Sequence, residues 1–256
     1  MRESWKRIVC QPFHSNKTGV TRKPHLFLHY INYRSLLNFF EVSVLDIVCT
    51  IRLSAIVRLS TTNGALCYVG NELVSCQPIV KEDVMTCVED AKAKGYSLIV
   101  VGRRDVAVLD PTGDVDRIFR QMLAVKNLGQ AAPLDDVLQQ DILQLTPFFP
   151  AEYELELMSR LPQCVSGRWH PEFTDITANG ADKGKGILAM ARHEGFAPAH
   201  TIAFGDGGND TTMILQVGVG IAMGNAIDDL KRQADYVTSS VDEDGIMNAL
   251  RHFKVI

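Results

Sequence analysis

From Asp182 to Ile256 short apolar runs alternate with amphipathic stretches, and no other feature limits the fold as much. GKGILAMARHEGF, DTTMILQVG, AIDDLKRQ and GIMNALRHF have helical spacing; HTIAFGD, GIAMG and DYVT between them are strand-length. Such alternation predicts a parallel sheet with helices on its faces. Ligands of these sheets gather at the carboxyl ends of the strands. FGDGGNDTTM, residues 204 to 213, falls at such an end: the apolar run stops at Gly205, and Asp206, Asn209 and Asp210 follow within five residues. Carboxylates this close repel one another unless a cation neutralises them. Asn209 or Asp210 can cap the next helix, but capping needs neither Asp206 nor the two glycines. Glycines that admit a ligand, with hard oxygen donors, suit Mg2+, which takes one or two carboxylates and keeps waters for a phosphate.

Upstream the pattern differs. LCYV, Gly70-Asn71 and ELVSC read as a hairpin. Residues 81 to 94 read as a helix stopped by Gly95, with Val84, Cys87, Val88 and Ala91 on one face. SLIVVG and DVAVLD are strands, 114 to 124 a helix, DILQLTPF a strand and 151 to 160 a helix, which together make an α+β module. Within GRWHPEF, Arg168, Trp169 and His170 have the stacking and forked hydrogen bonding that grip a sugar; a buried hairpin aromatic with exposed polar neighbours is the plainer reading. Asn63 and Gly64 look like turn residues closing a strand, and Lys183 and Lys185 like surface lysines opening a helix.

The chain of 256 residues, 46% hydrophobic, is long enough for one large domain or two modest ones. A formal charge of −4 gives no sign of a nucleic-acid or membrane-surface partner, and no run reaches the ~18 apolar residues of a spanning helix. Six scattered cysteines without a C-x-x-C pair fit reduced thiols in a cytoplasmic protein. The average charge hides a seam: residues 1 to 60 carry nine Lys or Arg against Glu3, Glu41 and Asp46. A transit peptide shares that bias, but LFLHYINY and SVLDIVCTI are too apolar and β-branched for one.

Four motifs, in order, resemble the Cof-type (class IIB) phosphatases of the haloacid dehalogenase superfamily over about residues 61 to 256. TTNGA at 61 to 65 resembles the passage from core to cap, and FTDITANGADKGKGI at 173 to 187 the return, where the family's active-site lysine matches Lys183. GDGGND, followed by VGVGIAMGNA, ADYVT and DEDGIMNAL, resembles the family's C-terminal part. The resemblance implies a doubly wound α/β core, formed by residues 1 to 65 with 174 to 256, and an inserted α+β cap at 66 to 173. It implies Mg2+-dependent hydrolysis of small phosphate monoesters, often sugar phosphates, through an aspartyl-phosphate intermediate. Asp206 is then the metal ligand. Asp210 holds a metal-bound water or orients Lys183, and Asn209 helps set that shell. Asn63 and Gly64 lie beside the substrate phosphate, and Arg168 and His170 reach the substrate from the cap. The implied partner is a small phosphorylated metabolite, and the implied state a monomer or weak homo-oligomer.

The same family begins with a strand ending in D-x-D-G-T, whose first aspartate attacks phosphorus and whose second is acid and base. Residues 1 to 60 contain one aspartate, Asp46, so no such pair precedes TTNGA. VLDIVCT imitates the motif, but Val48 replaces the second aspartate, and ten residues between Thr50 and Thr61 are too few for a helix and a strand. DEDG at 242 to 245 opens the last helix, where acids are at home. The first 60 residues therefore read as a shifted frame, a replacement that leaves a catalytically inactive phosphosugar-binding protein, or an unusual fold in which Asp46 or another group serves.

Overall fold

The computed structural model describes residues 58–69, 71–122 and 131–255. VLDIVCT, Asp46, all but the last three residues of the basic segment, and the turn residue Gly70 lie outside them. The described residues form two compact units, 58–190 and 191–255, and the chain passes from one to the other within the helix Lys183–His193.

In the first unit β1 (Arg58–Thr61), β2 (Leu66–Val69) and β3 (Glu72–Cys76) form a three-stranded antiparallel meander, which contains the expected hairpin. Helix α1 (Lys81–Lys94) has Glu82 and Asp83 in its first turn and Lys92 and Lys94 in its last, each favourable to the helix dipole. It stops where Gly95 turns left-handed at φ 73° and donates its N–H to Ala91 O. Five further strands, β4 (Leu98–Gly102), β5 (Val106–Leu109), β6 (Ile142–Pro147), β7 (Cys164–His170) and β8 (Phe173–Ala178), make an antiparallel sheet in the order β5-β4-β6-β8-β7. Strand alternation sorts its side chains. Leu143, Leu145 and Ile176 pack in one cluster with Val84, Cys87 and Val88 of α1. Ile99, Phe148 and Phe173 pack in another with Val115 and Ile118, beside the wide helical segment Asp116–Met122. Two short helices, α2 (Leu134–Val137) and α3 (Ala151–Met158), complete the described part of this unit. Strand β8 runs to Ala178, and the two units divide after Met190.

After helix α4 (Lys183–His193), the second unit folds as the alternation predicts. Strands β9 (Ile202–Gly205), β10 (Val219–Ala222) and β11 (Tyr236–Val237) are parallel, in the order β11-β10-β9. Helices α5 (Thr211–Gln216), α6 (Asp228–Gln233) and α7 (Gly245–His252) follow the strands in turn. Phe204, Met213, Ile221, Leu230 and Leu250 are buried, and burial of each such side chain stabilises the unit by roughly 1.5–3 kcal/mol. Among the described residues no helix is long and apolar enough to cross a membrane.

Candidate active site

The loop after β9 is built around Asp210. This residue is only 2% exposed, and its Oδ2 accepts the N–H of Asp206 at 2.9 Å and of Gly207 at 3.1 Å. Two backbone donors on one carboxylate oxygen offset much of the cost of burying the charge. The turn Gly208–Asp210 then runs directly into α5. Gly205 is required here, since a Cβ at that position would stand 2.6 Å from Asp210 Cβ. Asp206 is held from the other side as well: Met223 donates its N–H to Gly205 O at 2.9 Å, and Ile227 to Asp206 O at 3.0 Å. The half-buried Asp206 is therefore fixed through its backbone at the carboxyl end of a parallel strand. Asn209 stands exposed in the same turn. Asn225, which had no assigned role in the sequence, donates Nδ2–H to Asp206 Oδ2 at 3.4 Å. The available signal was its place in GIAMGNA, just past the neighbouring strand.

Lys183, in the other unit, is not the surface lysine that its helix-start position suggests: it is 5% exposed. Asp182 starts its helix, with Oδ1 accepting the N–H of Lys185 at 2.8 Å and its carbonyl that of Gly186 at 2.9 Å. Thr62, Asn63 and Gly64 all have positive φ, at 46°, 53° and 88°. A β-branched residue in that region is strained. A Cβ on Gly64 would lie 2.3 Å from Asp182 O, and one on Gly186 3.3 Å from Gly64 Cα. Asn63, Gly64 and Lys183 are thus brought together by a glycine contact between two backbones.

Arg168 and His170 lie at an irregularity between β7 and β8: Gly167 faces Asp175 and His170 faces Phe173, so Arg168 and Trp169 together oppose Thr174. Arg168 Nε donates to Glu154, and Nη1 to the carbonyls of Phe149, His170 and Pro171. These bonds are internal to the unit and stitch the start of α3 to the β7–β8 turn. Burial pushes the Glu154 carboxyl up, but the Ser166 side chain, the Arg168 guanidinium and the Thr174 side chain together hold it below its usual range. The His170 ring stacks on Phe173 at 4.8 Å, and its Nδ1 accepts the N–H of Glu172. Trp169 Nε1 donates at 2.9 Å to Asp175, which also accepts from Gln144 at 2.9 Å and Thr146 at 2.8 Å. Burial nevertheless raises the Asp175 pKa, against all three donors.

Thiol chemistry has little support. Cys67, Cys76, Cys87 and Cys164 are all unpaired by disulfides, and burial pushes the Cys87 and Cys164 thiols up to about 12. A protonated thiol is a poor nucleophile. Among the described residues no cluster of three or more His, Cys, Asp or Glu side chains is arranged to hold a metal ion. The donors at the strand end are oxygen atoms only, two carboxylates four residues apart on a braced backbone, and this set fits Mg2+ as a partial ligand sphere.

A family model described as haloacid dehalogenase-like hydrolase matches residues 33–250, so the match begins upstream of TTNGA and takes in Asp46. A solved subclass IIB sugar phosphatase of the haloacid dehalogenase superfamily is 39% identical, over 78% of this chain and 76% of that one, with a TM-score of 0.69. A superfamily phosphatase from Bacteroides thetaiotaomicron is 30% identical over 76% and 72%, with a TM-score of 0.67. The Bacillus subtilis protein YkrA, provisionally named a phosphatase, is 40% identical over 124 residues, which are 48% of each chain. The chain thus spans about half the length of that curated relative. With the α/β core and α+β cap, these matches lead to one conclusion: the chain belongs to the haloacid dehalogenase-like hydrolase family.

Proposed function

We propose that this chain is a phosphatase that hydrolyses small phosphate monoesters, sugar phosphates in particular, with Mg2+ as cofactor. The carrying observation is the braced strand-end loop, where Asp206 stands over the buried Asp210. Asp206 is the residue to hold the cation, with Asp210 behind it. When bound, the cation neutralises charge on the phosphoryl group and on its attacking nucleophile. Lys183 contributes a second fixed positive charge, and a buried ammonium acts on phosphate more strongly than an exposed one. Asn209 sets the polar surroundings of the loop, and Asn63 and Gly64 line the phosphate side of the hinge. Residues 66 to 173, with β4 to β7, serve as the cap, with His170, and Arg168 through the turn it braces, shaping the face that selects the sugar. The sugar phosphatase at 39% identity supports that substrate class. Among the described residues the unpaired thiols support a reducing compartment, the cytoplasm, and we take the chain to act as a monomer or weak homo-oligomer.

A second reading rests on one fact: with Asp46 the only aspartate before residue 60, no D-x-D pair precedes TTNGA. In it the chain binds a phosphorylated metabolite without turnover, since covalent catalysis cannot run without its nucleophile. Assay of p-nitrophenyl phosphate and a panel of sugar phosphates with Mg2+, with and without EDTA, separates the two. The phosphatase reading expects EDTA-sensitive turnover that falls on the order of 10²-fold or more in Lys183→Ala. Loss in Asp46→Asn as well identifies Asp46 as the nucleophile. Calorimetric binding of a sugar phosphate without turnover selects the second reading. Neither binding nor turnover refutes both.

A further inference from the structure

The residues 223–227, beyond β10, are clamped between the ends of the other two parallel strands. Met223 and Ile227 donate their N–H groups to Gly205 O and Asp206 O on one side. On the other, Gly224 donates to Ser239 O at 3.0 Å, and a Cβ on Gly224 would stand 2.5 Å from Ser240 N. Between these clamps Asn225 projects an exposed side chain with two engagements. Its Oδ1 accepts the N–H of Val241 at 3.0 Å, and its Nδ2 lies 3.4 Å from Asp206 Oδ2.

The first engagement determines the second. A backbone N–H can only donate, so the amide atom facing Val241 must be the oxygen, and the atom facing Asp206 must be the NH2. The bond to Asp206 is long, but its direction is fixed by a firm anchor on a different strand end. The half-buried Asp206 carboxylate has several rotamers, and only some of them serve a cation. A neutral donor limits this sampling without adding charge, whereas a lysine there would compete with the metal.

We propose that Asn225 is a positioning residue for the cation site: anchored by Val241, it holds Asp206 in the rotamer that ligates a divalent metal. This rests on the reading that Asp206 is the metal ligand. Outer partners of metal ligands typically contribute 10–100-fold to affinity; with one long bond at an exposed site, the lower end is expected here.

Calorimetric titration of the metal-free full chain with Mg2+ tests both levels. Binding should be lost in Asp206→Ala and weakened about tenfold in Asn225→Ala. If Asp206→Ala binds like the unmodified chain, or the unmodified chain binds no Mg2+, the cation reading fails and takes the proposal with it. If Asp206→Ala is dead but Asn225→Ala stays within twofold of wild type, the proposal alone fails. A purely structural role, bracing the loop through Val241, is separated by urea unfolding of the metal-free single and double variants. The Val241 contribution is lost with Asn225 whether or not residue 206 is changed, so it cancels in the cycle and leaves the Asn225–Asp206 interaction. The combined effect should depart from additivity by about threefold in the unfolding constant. Strict additivity would mean that the two side chains do not interact, and the proposal would be wrong.

Discussion

The two units each bury a carboxylate, and they do it in opposite ways. Asp210 accepts two backbone N–H groups from residues three and four positions before it. Asp175 on β8 accepts three side-chain donors from two neighbouring strands, Trp169 on β7 and Gln144 and Thr146 on β6. Backbone donors in a closed turn cannot rotate away, so the Asp210 arrangement is rigid and local. Side-chain donors must themselves be ordered, at an entropic cost for each. Burial still dominates at Asp175 and raises its pKa despite the three bonds. A carboxylate that shapes a site is thus held by main chain, and one that pins a sheet face by side chains.

Replacing Asp210 should show the largest effect. Asp210→Ala strands the N–H groups of Asp206 and the buried Gly207 and should destabilise its unit by about 3 kcal/mol in urea unfolding. Asp210→Asn keeps an acceptor and should lose about 1 kcal/mol. Equal losses would show that charge, rather than acceptor geometry, holds the loop. Gly205→Ala comes next, at about 2 kcal/mol, because its Cβ meets Asp210 Cβ at 2.6 Å and neither backbone is free to yield. A smaller loss, within 0.5 kcal/mol in the same assay, would show the loop to be as adaptable as the side-chain cluster around Asp175.

Asp175→Asn should have the smallest effect, about 1 kcal/mol or less, and it should change with pH. The folded pKa of Asp175 is raised above its ordinary 3.8, so the wild type binds its proton more tightly when folded. Its stability is therefore fullest below the unfolded pKa and falls as pH rises through the folded one. The asparagine variant lacks that fall. Its deficit should shrink as pH climbs out of the acid range, as measured by urea midpoints at a series of pH values. A deficit that grows with pH would mean that the three donors outweigh burial, and the contrast with Asp210 would weaken.

The same contrast explains what could be read in the sequence. The strand–helix alternation after Asp182 and the spacing of GDGGND are local patterns, and β9 to β11 with the Asp206 loop follow them directly. Asp175 gave no signal, since Gln144 and Thr146 lie some thirty positions away and only the pairing of β6 with β8 brings them together. Lys183 looked like an ordinary exposed helix start because its burial depends on the tertiary fold. Arg168 was legible as a fork of donors, but its carbonyl partners are set by the irregular β7–β8 pairing, which no spacing rule foretells. Asn225 lies within GIAMGNA, and no spacing rule foretells that the Val241 N–H orients its amide.

Where Gly64 abuts Asp182, the chain between them leaves and comes back at one place. The strands from β2 to β8 lie on one long segment whose flanks, Gly64 and Asp182, are joined by backbone contact. The entropy of closing such a loop grows only with the logarithm of its length, about 0.6 kcal/mol per doubling. Segments could therefore be lengthened, shortened or exchanged between those two points with little penalty at the junction itself. A protein joined in this way can acquire new preferences by grafting, without redesign of the strand ends that carry its carboxylates.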